Sequence, residues 1–240
     1  MPLRDCGAMI NRLLLVCAFA ALAASCGGGT TATVTVTTEA APTTTNTVSP
    51  APMSVTVYKV VDGSIFPGVV RVPRTQAVAT AALGALGLAA DVTVADGTAT
   101  VDLPKATQDQ QAEIVYTLTQ YPSIQRVDVG GRMGLTRDDF ASYLAPIFVE
   151  TPVPGADVPT TFHLSGSASV FEATLTVRLL RAGKELEKRT ITASEGAPNR
   201  GTFDTTLTAT PGPLQIQVFS PSAEDGSPQH EVDVLVDVKP

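Results

Sequence analysis

Residues 107–129 read TQDQQAEIVYTLTQYPSIQRVDV. Thr107 and Gln110 stand three apart, the pattern of a capping box, in which side chains and backbone N–H groups satisfy each other at a helix start. Behind them Ile114, Val115, Leu118 and Tyr121 recur at helical spacing, and Pro122 closes the helix because it cannot continue the hydrogen-bond ladder. IQRVDV then alternates, with Ile124, Val127 and Val129 as the buried set of a strand. Upstream, DVTVADGTATVDL (91–103) sets Val92 and Val94, then Ala99 and Val101, around Asp96-Gly97, the signature of a two-residue hairpin turn at positive φ. Pro73 opens a helix through ATAALGAL (79–86), whose end Gly84 and Gly87 weaken, and SVTVYKVV (54–61) reads as a strand from Val55, Val57 and Val60. Downstream, TRDDFASYL (136–144) is short and helical. The order strand, helix, hairpin, helix, strand predicts a small α/β layer structure over residues 54–146.

Helical spacing stops at Pro146. Short alternating runs replace it: Phe162 and Leu164; Leu175, Val177 and Leu179; Phe203 and Leu207; Leu214, Ile216 and Val218; Val232, Val234, Val236 and Val238. Turn residues separate them, as in an antiparallel sandwich. In the last run Glu231, Asp233 and Asp237 fall opposite the valines, the alternation of a half-buried strand. The fold class expected is therefore α+β, an α/β layer domain followed by an all-β antiparallel sandwich over residues 147–240. Pro146, Pro152 and Pro154 mark the change of course between them.

Both halves resemble known bacterial families. AEIVYTLTQYPSIQRVDV (112–129), with DGTATVDL (96–103) before it, is similar to the GerMN domain of spore-germination and sporulation lipoproteins. The chain departs from that family between the first helix and the hairpin, where only LGLAAD (86–91) stands in place of a longer Gly-Pro-containing segment, so a ligand site built there in relatives is not expected. VETPVPGADV (149–158), SGSASVFEATLTVRLL (165–180), GAPNRGTF (196–203) and SAEDGS (222–227) resemble, in order, the immunoglobulin-like domain of bacterial spore germination. The resemblances imply a cell-envelope location and a binding role, with no catalytic residues to carry over.

The N-terminus fits that location. Arg12 precedes LLLVCAFAALAA (13–24), an apolar run too short to span a bilayer and shaped like a secretory signal. A start at Met9 gives MINRLLLV, a cleaner signal than a start at Met1. The run ends Ala23-Ala24-Ser25-Cys26, which resembles a lipobox with Ala23 where Leu is commonest, so residues 1–25 are read as signal peptide and Cys26 as the lipidated first mature residue. Ordinary cleavage after Ala23 is the alternative. Residues 26–53, rich in Thr, Ala, Pro and Gly, lack the large apolar side chains that offset chain entropy and read as a tether, either bare or O-glycosylated on Thr.

Composition narrows the partners. The formal charge is −7, and loss of Arg4, Arg12 and Asp5 leaves the mature chain near −8, which disfavours nucleic acid and supplies no polybasic membrane patch. Membrane contact is expected through the N-terminal lipid, and the partner is an envelope protein or cell-wall component. All three cysteines, Cys6, Cys17 and Cys26, precede the folded part, so packing alone must hold it.

The motifs that invite chemistry have plainer readings. Gly130-Gly131-Arg132-Met133-Gly134 fits neither a dinucleotide fingerprint nor a Walker loop and reads as a tight turn. His163 and His230 lack local partners for a metal site. Asp138-Asp139 and Glu224-Asp225 read as solvated loop or cap residues rather than an acid–base pair. Phe171-Glu172-Ala173 reads as a core Phe with a Glu satisfying loop amides; the alternative is a surface anchor. No catalytic residue, metal or cofactor is expected. The leading functional expectation is a non-catalytic envelope lipoprotein whose candidate interaction surface is Phe171, Glu172, Asn199, Arg200, Glu224 and Asp225. A carboxylate-dependent cell-wall hydrolase and a bare structural spacer are the rivals.

Overall fold

The computed structural model describes residues 51–240; the signal, Cys26 and nearly all of the tether lie outside the described residues. Strand β1 (Met53–Val61) turns through Asp62-Gly63 into β2 (Ser64–Val72), and the two pair antiparallel along their whole length. The second strand corrects the sequence reading, which placed only one here. Pro67 and Gly68 break its apolar pattern, yet Pro67 lies opposite Tyr58, whose N–H points away from β2 to Thr117 Oγ1 at 3.0 Å. Such a pair exchanges no ladder bond, so the missing N–H of Pro67 costs nothing there.

Helix α1 (Val78–Ala85) begins five residues after Pro73, later than the sequence suggested. Thr75 Oγ1 accepts from the Ala77 N–H at 3.1 Å and holds the preceding segment in a turn. Strands β3 (Val92–Ala95) and β4 (Thr98–Val101) close on Asp96-Gly97, at φ 48° and 76°, as a two-residue hairpin requires. The capping box then starts α2 (Gln108–Leu118): the Gln110 N–H donates to Thr107 Oγ1 at 3.2 Å, and the Thr107 N–H to Gln110 Oε1 at 3.0 Å. The helix returns the chain to β5 (Arg126–Val129), parallel to β4, and Gly130-Gly131 turns it into β6 (Arg132–Leu135). The sheet order is β3-β4-β5-β6, followed by a 3-10 turn over Arg137–Tyr143.

Helix α2 also finishes the open edge of β1. Glu113 and Thr117 share one helix face by their spacing, and Gln120 lies in the turn just past the helix end. Glu113 Oε1 accepts from the Val60 N–H at 2.9 Å, Thr117 Oγ1 from Tyr58, and Gln120 Nε2 donates to Thr56 O at 2.8 Å. The helix and the turn after it thus satisfy every second residue of a strand edge that would otherwise stay unpaired.

The second half is a two-sheet sandwich. One sheet runs β11 (Lys184–Thr192), β10 (Thr174–Arg181), β13 (Gly212–Pro221), β14 (Pro228–Val238) and β8 (Asp157–Val158); the other runs β12 (Gly201–Thr208), β9 (Thr161–Ala168) and β7 (Ile147–Thr151). All the apolar runs named from the sequence lie on these strands, and Leu164, Leu175, Leu207, Ile216 and Val218 are fully buried between the sheets. Strand β11 is an addition. Its sequence, KELEKRTIT, is guarded by charge in the way edge strands are, and so shows no apolar run.

Strand β7 belongs to both halves. Ile147 and Val149 face the sandwich core, whereas Phe148 between them faces the α/β core. The Phe148 ring lies 6.4 Å from that of Tyr58 and 6.2 Å, edge-on, from that of Tyr116. Behind β7, Gly166 of β9 lies so near that a Cβ would stand 2.1 Å from Phe148 O and 2.8 Å from the Phe203 ring. Two hydrophobic cores therefore share one strand, and the described residues fall in one compact unit.

Candidate binding surfaces

The strand register gathers three loops at one end of the sandwich. Thr174 pairs with Thr192, Ala168 with Gly201, and Pro221 with Pro228, while β10 and β13 pair up to Thr176 and Phe219. The loops at 169–173, 193–200 and 222–227 consequently share that end, and every sequence-named candidate within the described residues sits on one of them.

Phe171 is 64% exposed, which overturns the core reading. The cause is local backbone. Residues 171–173 form a single 3-10 turn in which Glu172 and Ala173 both take positive φ, 51° and 54°. Two successive non-glycine residues there are strained by roughly 1–2 kcal/mol each. The turn puts Ala173 in the core in place of Phe171 and points the ring outward. The 193–200 loop fixes this arrangement: the Ala197 N–H donates to Val170 O and the Ala193 N–H to Ala173 O, both at 2.9 Å. Glu172 is exposed and accepts no loop amide, contrary to the role the core reading gave it.

The remaining candidates divide. Asn199 is exposed on the loop beside the Phe171 turn. Arg200 is not free: its guanidinium donates to Ala145 O at 2.7 Å, to Leu144 O at 3.4 Å, and to Ser167 O and Oγ at 3.4 and 3.2 Å. It ties the sandwich to the last residues before β7, and partial burial lowers its pKa. Glu224 and Asp225 are exposed on the β13–β14 connection, where Asp225 Oδ1 accepts from the Ser227 N–H at 2.9 Å. Hydrogen bonds from Ser227 hold the Asp225 carboxyl below the usual carboxylate range. This half of the expected surface shapes its own turn.

Sequence reasoning missed a second cluster, at the junction of the two halves. Arg137 donates from Nε to Thr119 Oγ1 at 2.9 Å, from Nη2 to Tyr116 O at 3.2 Å, and from Nη1 to Glu150 on β7. Its guanidinium also stacks 4.9 Å from the Tyr116 ring centre and 5.4 Å from that of Tyr58. Burial pushes the Tyr116 hydroxyl up to about 12. Five groups from four segments meet here, so no local motif announces them. An open, largely polar cavity of about 390 Å³ lies against Arg137 and Glu150, walled by Thr56, Gln120 and Thr151.

The other motifs are structural. Gly130 and Gly131, at φ 62° and 78°, form the β5–β6 turn. His163 Nδ1 lies 2.9 Å from Asp204 Oδ1, with both side chains about two-thirds exposed. Asp139 accepts from the Thr136 N–H at 2.8 Å and caps the 3-10 turn. Among the described residues no three His, Cys, Asp or Glu come together as metal ligands, and no helix is long and apolar enough to cross a membrane.

The sandwich, with its loop end and its shared strand, agrees with a comparison of the sequence. Residues 146–227 match the family model of the immunoglobulin-like domain of bacterial spore germination. That domain relates the chain to bacterial spore-germination proteins. The matched segment runs from the residue before β7 to the last residue before β14, and it contains all three loops at the exposed end. Comparison with curated proteins gives no match.

Proposed function

We propose that this chain is a non-catalytic cell-envelope lipoprotein, anchored outside the membrane through Cys26, that presents a GerMN-like module and an immunoglobulin-like domain as one rigid binding unit. The observation that carries the reading is Phe171. A large apolar side chain is held in water by a strained, non-glycine turn at the loop end of the immunoglobulin-like domain. Strain of this kind persists where the surrounding structure imposes it, and it concentrates at sites of recognition. The ring supplies the apolar anchor typical of a binding hot spot, with Glu172 and Asn199 as its polar rim. The carboxylates fit this reading better than hydrolysis, since Asp139 and Asp225 are each engaged in capping a turn.

The test has two arms. Mass spectrometry of the membrane-extracted protein should find a diacylglyceryl group on Cys26, and Cys26→Ala should free the protein from membranes. Site-specific photocrosslinking from position 171 in intact envelopes should give a discrete adduct that Glu172→Lys weakens and Asp204→Lys, elsewhere on the domain, does not. Turnover of peptidoglycan by the purified chain, lost on changing one carboxylate, would refute the non-catalytic reading.

A further inference from the structure

We propose that the outer edge of β14, between residues 231 and 234, takes up an extended polypeptide from a partner whose side chains alternate basic and aliphatic. The inference begins with hydrogen-bond alternation. On the side of β14 away from β13, Leu235 O accepts from the Gly155 N–H at 2.8 Å, and the Asp237 N–H donates to Ala156 O at 3.0 Å. Odd-numbered residues therefore point their backbone groups to that side. Asp233 is in regular pairing with Gln217 and two residues upstream of Leu235, so its N–H and C=O point the same way. Strand β8 covers this edge only at Asp237 and Val238, and among the described residues nothing bonds the outward groups of Asp233. An uncovered stretch of this kind is a template for another strand.

The space beside that edge suits one. A cavity of about 260 Å³ separates it from β2 and β7, with Ile65, Phe66, Pro67, Ile147, Pro154 and Val232 among its walls. Phe66, nearly half exposed, forms its outer lip. The two carboxylates on the β14 wall, Glu231 and Asp233, are both exposed.

These features set the ligand's chemistry. In a strand added to β14, alternate side chains fall on the core side, beside Val232 and Val234, and enter the apolar cavity. The side chains between them lie on the face of Asp233 and Glu231, where Lys or Arg is complementary. A second copy of this acidic chain would bring like charge to the same rim.

The proposal rests on the reading of the chain as a binding protein, but not on the Phe171 surface. The probe is a labelled, end-capped peptide of alternating Lys and Val, titrated into the full chain at low and moderate salt. Binding is expected, with slowed amide exchange at 231–234, and with weaker binding by alternating Glu/Val and Lys/Ser peptides. Glu231→Lys with Asp233→Lys should weaken it about tenfold, the scale of losing two exposed ion pairs. Asp233→Pro should abolish it, since that N–H faces away from β13 and its loss spares the β13–β14 ladder; if this variant fails to fold, the double charge reversal decides. Equal binding by the Lys/Ser peptide, an unaffected charge-reversed variant, or no slowed exchange at 231–234 overturns the proposal. Slowed exchange that depends on the chain's own concentration overturns it in favour of a second copy. Crosslinking from position 171 in the same variants separates failure here from failure of the binding reading.

Discussion

Replacing Phe148 by Ala removes a side chain that is 4% exposed and touches two tyrosines, while leaving the β7 backbone and its pairing with β9 in place. A buried aromatic removes about 150–200 Å² from water, worth about 4–5 kcal/mol at 25 cal/mol per Å². Ala retains part of that area, and the cavity left behind adds a cost, so about 4 kcal/mol is expected, within the usual span for Phe→Ala. The loss falls on the α/β core, because Ile147 and Val149 keep their places in the sandwich. Amide exchange under a urea gradient reads the two cores separately. Amides of Ile114–Leu118 on α2 should lose about 4 kcal/mol of protection, and those of Leu214–Val218 on β13 much less. Equal losses in both would show that the shared strand makes them one cooperative unit. A loss below about 1 kcal/mol on α2 would refute the placement of Phe148 in that core.

Thr107→Ala removes one side of the capping box and should cost about 1 kcal/mol, measured by chemical denaturation, with Thr107→Ser restoring most of it. Gly166→Ala should destabilise by about 3 kcal/mol or fail to fold, because the new methyl meets backbone of β7 that cannot yield without moving Phe148. Tyr116, with its pKa pushed up to about 12 by burial against about 10 in the unfolded chain, contributes stability that is complete below pH 10 and lost as pH rises toward 12; urea midpoints across that window should fall for the native protein and fall less for Tyr116→Phe.

What could be read in advance follows periodicity and turn chemistry. The capping box, the Asp96-Gly97 hairpin and the valine alternation of β14 are local patterns, and each forms as its residues suggest. Elements escaped where a tertiary partner replaced a local signal. β2 tolerates Pro67 because the opposite residue on β1, Tyr58, gives its N–H to Thr117 of α2, and β11 lacks an apolar face because it guards an edge. Phe171 was misassigned because hydrophobicity alone favours burial, whereas two positive-φ residues after it decide the outcome. The Arg137 cluster could not be seen at all, for its members lie as much as 92 positions apart, from Tyr58 to Glu150. Arg200 illustrates the reverse error: an Arg on a loop looks available until the carbonyls of Leu144 and Ala145 are found beneath it.

The division of labour along Ile147, Phe148 and Val149 bears on how such a protein can evolve. An ordinary linker tolerates insertion and deletion, and lets modules be recombined freely. Here a one-residue slip of β7 against β9 would exchange the faces of all three side chains, sending two aliphatics into one core and an aromatic into the other. The joint therefore has a reading frame of its own. An immunoglobulin-like domain moved from this chain to another host would arrive carrying Phe148, a bulky group for which its own sheets have no place, and only a neighbour with a matching aromatic hollow could accept it.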